Sequence, residues 1–150
     1  MDARDRPRST AALFGHPLHP MVVPFPIVCF TGALITDIAY WRTAFIMWSN
    51  FSAWLIAAGL VTGALAALLG IIDYAGSRRV RRLRAAPWHM ALNLAAWVIE
   101  LLNALVHSRD SWTSVVPEGL ALSALAVALL VVSGWLGQHM VYRRGVGVAR

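Results

Sequence analysis

The chain of 150 residues is 59% hydrophobic and 13% charged, with a mean hydropathy of +0.63, against about 45–50% apolar and about 25% charged in a soluble domain. These values argue against a soluble globule, because a chain of this length cannot wrap so much apolar side chain in polar surface, and the excess must face lipid. The net charge of +6 would suggest a nucleic-acid partner in a soluble chain, but the placement of the cations assigns them to membrane topology and no nucleic-acid role is expected.

The first fifteen residues carry Arg4, Arg6 and Arg8 and no apolar stretch followed by a small-residue cleavage site, so no signal peptide is expected. They lead into GHPLHPMVVPFP, where Pro17, Pro20, Pro24 and Pro26 remove backbone donors and bias the preceding residues to extended conformations. Regular helix is expected only from near Pro26, with the segment before it lying irregularly over one mouth of the molecule and carrying His16 and His19. Four apolar runs delimit candidate spans, roughly 21–41, 51–74, 87–106 and 117–142, each near or above the about 20 residues that cross a bilayer. In lipid the backbone of such a run must satisfy its own donors and acceptors, hence as helix. Cys29, the single cysteine, lies in the first run and leaves no intrachain disulfide. In the second, GLVTG (59–63), continued by Ala67 and Gly70, sets small residues one turn apart for close helix packing, within the chain or across a homo-oligomer. Pro87 and Pro117 suit a first helical turn, Gly76 with Ser77 closes the second span, and Trp41, Trp48, Trp88, Trp112 and Trp135 fall near the expected interfaces. The fold class is all-α, a transmembrane four-helix bundle, with an arm at 1–20, the bundle at 21–142 and a tail at 143–150.

All thirteen cations are arginine, and eleven of them lie in the arm, in the middle loop (Arg78, Arg79, Arg81, Arg82, Arg84) and in the tail (Arg143, Arg144, Arg150), leaving Arg42 and Arg109 in the other two turns. Arginine-rich segments stay cytoplasmic, and four crossings put these three on one side, so both termini are expected inside. The tract RRVRRLR sets topology and can also hold anionic lipid.

The depth of each polar side chain carries the functional reading. At about 1.5 Å per residue, Asp73 falls at the inner end of span two, His89 at the inner start of span three, His139 at the inner end of span four, and His16 and His19 just before span one. All four helices thus send a polar group to one cytoplasmic-side layer, and imidazoles with a carboxylate arriving from separate helices suit a metal ion or a haem iron. Asn93 lies one turn deeper than His89 on the same face, placed to orient a ring. The plainer reading is that polar rings sit cheaply at a headgroup boundary. An outer layer is thinner: Asp37, Glu100, Asn103, His107 and Glu118. Glu100 lies well within the hydrocarbon and is expected to face the bundle, either in a proton relay or in a buried interhelical hydrogen bond. Asn103 stands where a second haem would need a histidine, so an outer haem is not expected. No phosphate loop, two-histidine zinc-protease helix, nucleophile elbow or cysteine pair is present.

Four stretches, GHPLHPMVVPFPI, GIIDY, HMALN and SGWLGQHMVYRRGVGV, resemble the bacterial membrane family called domain of unknown function 2231, over nearly the whole chain and in the same order. The resemblance implies four spans and a bacterial inner-membrane location, and a redox setting, since some members are joined to or encoded beside Rieske-type iron–sulfur proteins. It places the family's opening His-Pro motif on His19 and Pro20, its aspartate on Asp73, its third-span histidine on His89 and its closing pattern on Gly137, Val141 and Tyr142. Where many members have a histidine before Phe-Pro, this chain has Pro24.

Three readings follow. The first is a small electron-transfer subunit holding one b-type haem through His19, His89 and His139 with Asn93 in support, working with a quinone or an iron–sulfur partner. The forked arginine side chains beside this layer suit haem propionates. The second is a single iron, zinc or copper ion held by His16, His19, Asp73, His89 and His139. The third is an assembly or anchoring subunit without a cofactor. A stand-alone enzyme is less expected than a subunit, and no span shows the mid-membrane break of a transporter.

Overall fold

A computed structural model describes residues 9–109 and 111–148. Arg4, Arg6, Arg8 and Arg150 therefore lie outside the described residues, as does the side chain of Trp112. Four helices are long and apolar enough to cross a membrane: Leu18–Thr43, Ile46–Gly76, Ala85–His107 and Thr113–Arg143. Each overlaps one expected span and extends it by one to five residues at each end. An even number of crossings puts both chain ends at one end of the bundle, the terminal end, with the opposite end called the far end.

In chain order the elements are β1 (Ala12–Leu13), β2 (His16–Pro17), α1 (Leu18–Val22), α2 (Pro24–Thr43), α3 (Ile46–Gly76), α4 (Arg78–Arg81), α5 (Ala85–His107), α6 (Ser111–Val115) and α7 (Glu118–Gln138), closed by a π-helical turn at His139–Arg143. The proline-rich entry departs from expectation in being ordered and in turning helical at Leu18 rather than near Pro26. β1 and β2 form a two-residue antiparallel hairpin whose turn residues, Phe14 and Gly15, both take positive φ, the twist a tight hairpin prefers. Pro20 then sits in the first turn of α1, and Pro24 and Pro26 in that of α2. At those positions the missing N–H has no intrahelical partner to lose.

α2 packs on α3, α3 on α5, α5 on α7 and α7 back on α2, a closed ring of neighbours. Along α2 the buried residues are Pro26, Phe30, Ala33, Asp37 and Tyr40, spaced alternately four and three apart, the seam of left-handed bundle packing. The other seams are made largely of small or polar residues: Ser49, Ser52, Gly59 and Ala66 on α3, Ala96 and Asn103 on α5, and Gly119, Ser123, Ala126 and Ser133 on α7. Large apolar side chains point outward instead, among them Trp54, Val61, Leu94, Leu105, Val131 and Trp135. This distribution suits lipid, where helices gain from close van der Waals approach and from hydrogen bonds rather than from hiding leucine from water.

The glycines of GLVTG are used inside the chain. A Cβ on Gly59 would stand 2.4 Å from the ring of Phe30, and one on Gly63 3.1 Å from Trp97. Trp97 in turn donates its Nε1–H to the Leu60 carbonyl at 3.0 Å, fastening α5 to α3. At the terminal end a small apolar cluster of Val80, Ala86 and Met140, flanked by Tyr74, Leu83 and Val146, ties the arginine loop to the closing turn. Arg81 donates to the carbonyls of Tyr74 and Ala75 there, neutralising part of the negative end of α3.

Candidate functional site

The terminal half of the bundle brings two of the expected histidines together. His19, from α1, and His89, from the second turn of α5, meet edge to face with ring centroids 6.4 Å apart. Each is oriented by a main-chain carbonyl of a further helix: His19 Nδ1 lies 2.8 Å from the Ala66 oxygen on α3, and His89 Nδ1 2.9 Å from the Ser133 oxygen on α7. A carbonyl only accepts, so both Nδ1 atoms carry hydrogen, which leaves Nε2 as the lone-pair nitrogen of each ring in its neutral form; that of His89 lies 3.3 Å from the Asn93 amide nitrogen. That is the tautomer of a metal-ligating histidine held by an outer carbonyl. Glycine makes room for both rings, since a Cβ on Gly70 would fall 3.1 Å from His19 and one on Gly137 3.2 Å from His89. Asn93 spends its two amide hydrogens on the His89 carbonyl and the Ser133 hydroxyl, supporting the ring from beneath as its spacing suggests.

The remaining members of the expected layer share its level but not this pair. Asp73 Oδ1 accepts from the Ser9 hydroxyl at 2.7 Å and from the backbone N–H groups of Thr10 and Ala11 at 2.6 and 2.7 Å, so it latches the segment before β1 onto α3. His16 is exposed on β2 and His139 is exposed at the start of the π-helical turn. Among the described residues no group of three His, Cys, Asp or Glu side chains is placed to hold a metal ion. Two surface grooves of about 330 Å³ each run along the molecule, one at the terminal mouth beside His16, Pro20 and Val146 and one between α2 and α7. Neither is lined by His19 or His89.

A second and more deeply buried polar centre occupies the far half. Asp37, Glu100, Asn103 and Ser123 are all 0% exposed, and they come from α2, α5 and α7. His107 Nε2 lies 2.9 Å from Asp37 Oδ1, and Ser123 Oγ donates to Asp37 Oδ2 at 2.6 Å. Asn103 Nδ2 donates to Ser123 Oγ at 2.8 Å and to Glu100 Oε2 at 3.1 Å. Outside this centre the exposed Arg109 and Glu118 pair at 2.7 Å, and Thr36 and Ser52 share a hydroxyl contact of 2.7 Å.

A model of a family described as a predicted membrane protein, DUF2231, matches residues 15–150. The chain belongs to that family. No curated protein and no solved structure matches it. The DUF2231 match begins at the hairpin turn and runs through both polar centres, so the histidine pair and the far-end cluster both lie within the family's extent.

Sequence reasoning ranked the two layers in the reverse order of their burial. In this DUF2231 chain the terminal layer contributes one pair of rings, while the thinner far layer forms a continuous network. Asp37 and His107 stand 70 positions apart, and their levels were legible from residue counts whereas their facing directions were not. Ser123 and Ser133 went unnoticed because serine does not titrate and draws no attention in an apolar run. The available signal was their spacing with Ala126 on one helical face.

Proposed function

We propose that this protein is a multi-pass subunit of the bacterial inner membrane, with both termini cytoplasmic, in which His19 and His89 hold one transition-metal ion and serve electron transfer. The observation that carries the reading is the pair itself. Two imidazoles ligating one ion at a metal–nitrogen distance of about 2.0 Å have ring centroids at most roughly 6 Å apart, so the pair, at 6.4 Å and edge to face, lies just outside that limit and a small closure and turn of the rings would let them share an ion. Imidazole nitrogen suits copper, iron or zinc, and copper or iron would supply the one-electron step. The chain's own contribution is to fix both tautomers through the Ala66 and Ser133 carbonyls and to keep the rings against glycine-lined helix faces. Further ligands come from the partner or from solvent at the terminal mouth. The redox setting implied by the resemblance favours a quinone or an iron–sulfur protein as that partner.

A b-type haem is the second reading, favoured by the same spacing, which is also that of two axial rings on one iron. It asks more of the bundle, because neither groove adjoins the rings and the helices would have to open sideways to admit the plane of a porphyrin.

Metal analysis and oxidised and reduced absorption spectra of the detergent-purified protein, expressed with iron, copper and a haem precursor, decide between them. Stoichiometric metal without a Soret band, lost in His19→Ala and His89→Ala but kept in His139→Ala, is the expected result. A Soret band with the same ligand dependence moves the assignment to haem. Metal content indifferent to His89→Ala, or neither cofactor, overturns the proposal in favour of an assembly role.

A further inference from the structure

The far-end cluster has acceptors left over and donors used up. Ser123 gives its one hydroxyl hydrogen to Asp37, and Asn103 gives both amide hydrogens, to Ser123 and to Glu100. His107 Nδ1 faces the Asn103 carbonyl at 3.1 Å and must donate there. The remaining hydrogen between His107 Nε2 and Asp37 Oδ1 belongs to that pair. Among the described residues, Glu100 Oε1 and Asn103 Oδ1 are buried with no hydrogen-bond partner. Two orphan acceptors three residues apart on one helix are a shortage of one donor, since buried acceptors of this kind are rarely left unpaired.

Charge arithmetic gives the same answer independently. With Asp37 and Glu100 ionised and His107 protonated, the cluster carries a net charge of −1. The cluster's other members, Asn103 and Ser123, are neutral, and Arg109, two residues beyond His107, is committed to Glu118 at the surface. An uncompensated charge in a low-dielectric interior is strongly disfavoured. One univalent cation at the Glu100–Asn103 end removes both defects. Two oxygens are too few for a desolvated hard metal ion, which takes about six or more, whereas a proton needs one.

We propose that Glu100 is an intramembrane proton-binding site, its Oε1 carrying an exchangeable proton and its Oε2 linked through Asn103 and Ser123 to the Asp37–His107 pair. Binding and release are the simple exchange of a carboxylic acid for a carboxylate and a free proton, with no other bond changed. His107, the last residue of α5, is the member nearest the water of the far end. The site stands apart from the histidine pair, so it does not depend on the metal assignment.

Infrared spectroscopy of the full-length protein in lipid tests this. The wild type is expected to show a protonated-carboxyl stretching band at neutral pH that shifts on transfer to deuterium oxide and disappears at high pH. Glu100→Gln, whose amide N–H can replace the acid proton, should fold with wild-type thermal stability and lose that band completely. A wild type without the band, or a band kept in Glu100→Gln, overturns the proposal. Loss of the wild-type band when sodium chloride replaces choline chloride at constant pH also overturns it, naming sodium as the ligand.

Discussion

Ser123→Ala removes one oxygen and almost no volume, so it isolates what a single hydroxyl does between three helices. That hydroxyl donates to Asp37 at 2.6 Å and accepts from Asn103 at 2.8 Å, and both partners are fully buried. Each buried group left unsatisfied costs about 1–3 kcal/mol in a water-soluble protein, giving an upper bound of about 6 kcal/mol. Within a bilayer the unfolded helices find other partners, and single interhelical hydrogen bonds average about 0.6 kcal/mol with a maximum of about 1.7. Two bonds through one oxygen, one of them to a carboxyl group, place the expected loss at about 2 kcal/mol. Unfolding by sodium dodecyl sulfate in lipid bicelles measures it. In an Asp37→Asn background the same substitution should cost less than half as much, because the two share one network. A Ser123→Ala loss below about 0.5 kcal/mol, with no coupling to position 37, would refute the view that the network holds α2, α5 and α7 together.

Gly59→Ala puts a methyl group 2.4 Å from a Phe30 ring that is itself 2% exposed, an overpacking expected to cost about 1–3 kcal/mol. Phe30→Leu should recover part of that loss in the double variant, read by the same unfolding assay. Orientation is checked by labelling single cysteines in intact cells in a Cys29→Ala background: Asn50→Cys at the far end should react with an impermeant maleimide and Ser77→Cys should not, and the reverse pattern would invert the topology.

What the sequence makes legible here is position along the membrane normal. Run lengths locate the four spans, and arginine placement groups their ends. Counting residues also puts Glu100 in the hydrocarbon and His89 near one surface. Azimuth is what counting leaves out. His139 and His89 share a level, yet His139 is exposed while His89 is turned in toward His19, because Gly137 opens α7 to its ring. The proline-rich entry was legible as an interruption but not as a helix start, because three of its prolines fall in first turns, where a missing donor costs nothing. The pairing of Asp37 with His107 depends on how α2 and α5 rotate about their own axes, which small residues at the crossings decide.

The latch formed by Asp73 also has a bearing on the order of events during synthesis. Ala11 is joined to Asp73 across 62 positions, a length that takes roughly 3–12 s to make at about 5–20 residues per second. Until then the hairpin has no anchor, and His19 has no Ala66 carbonyl to orient it. His89 waits longer still, for Ser133 on the last helix. The pair therefore takes its full set of orienting contacts only when the ring of helices closes, so on the proposed reading a metal ion meets a finished bundle rather than a growing one.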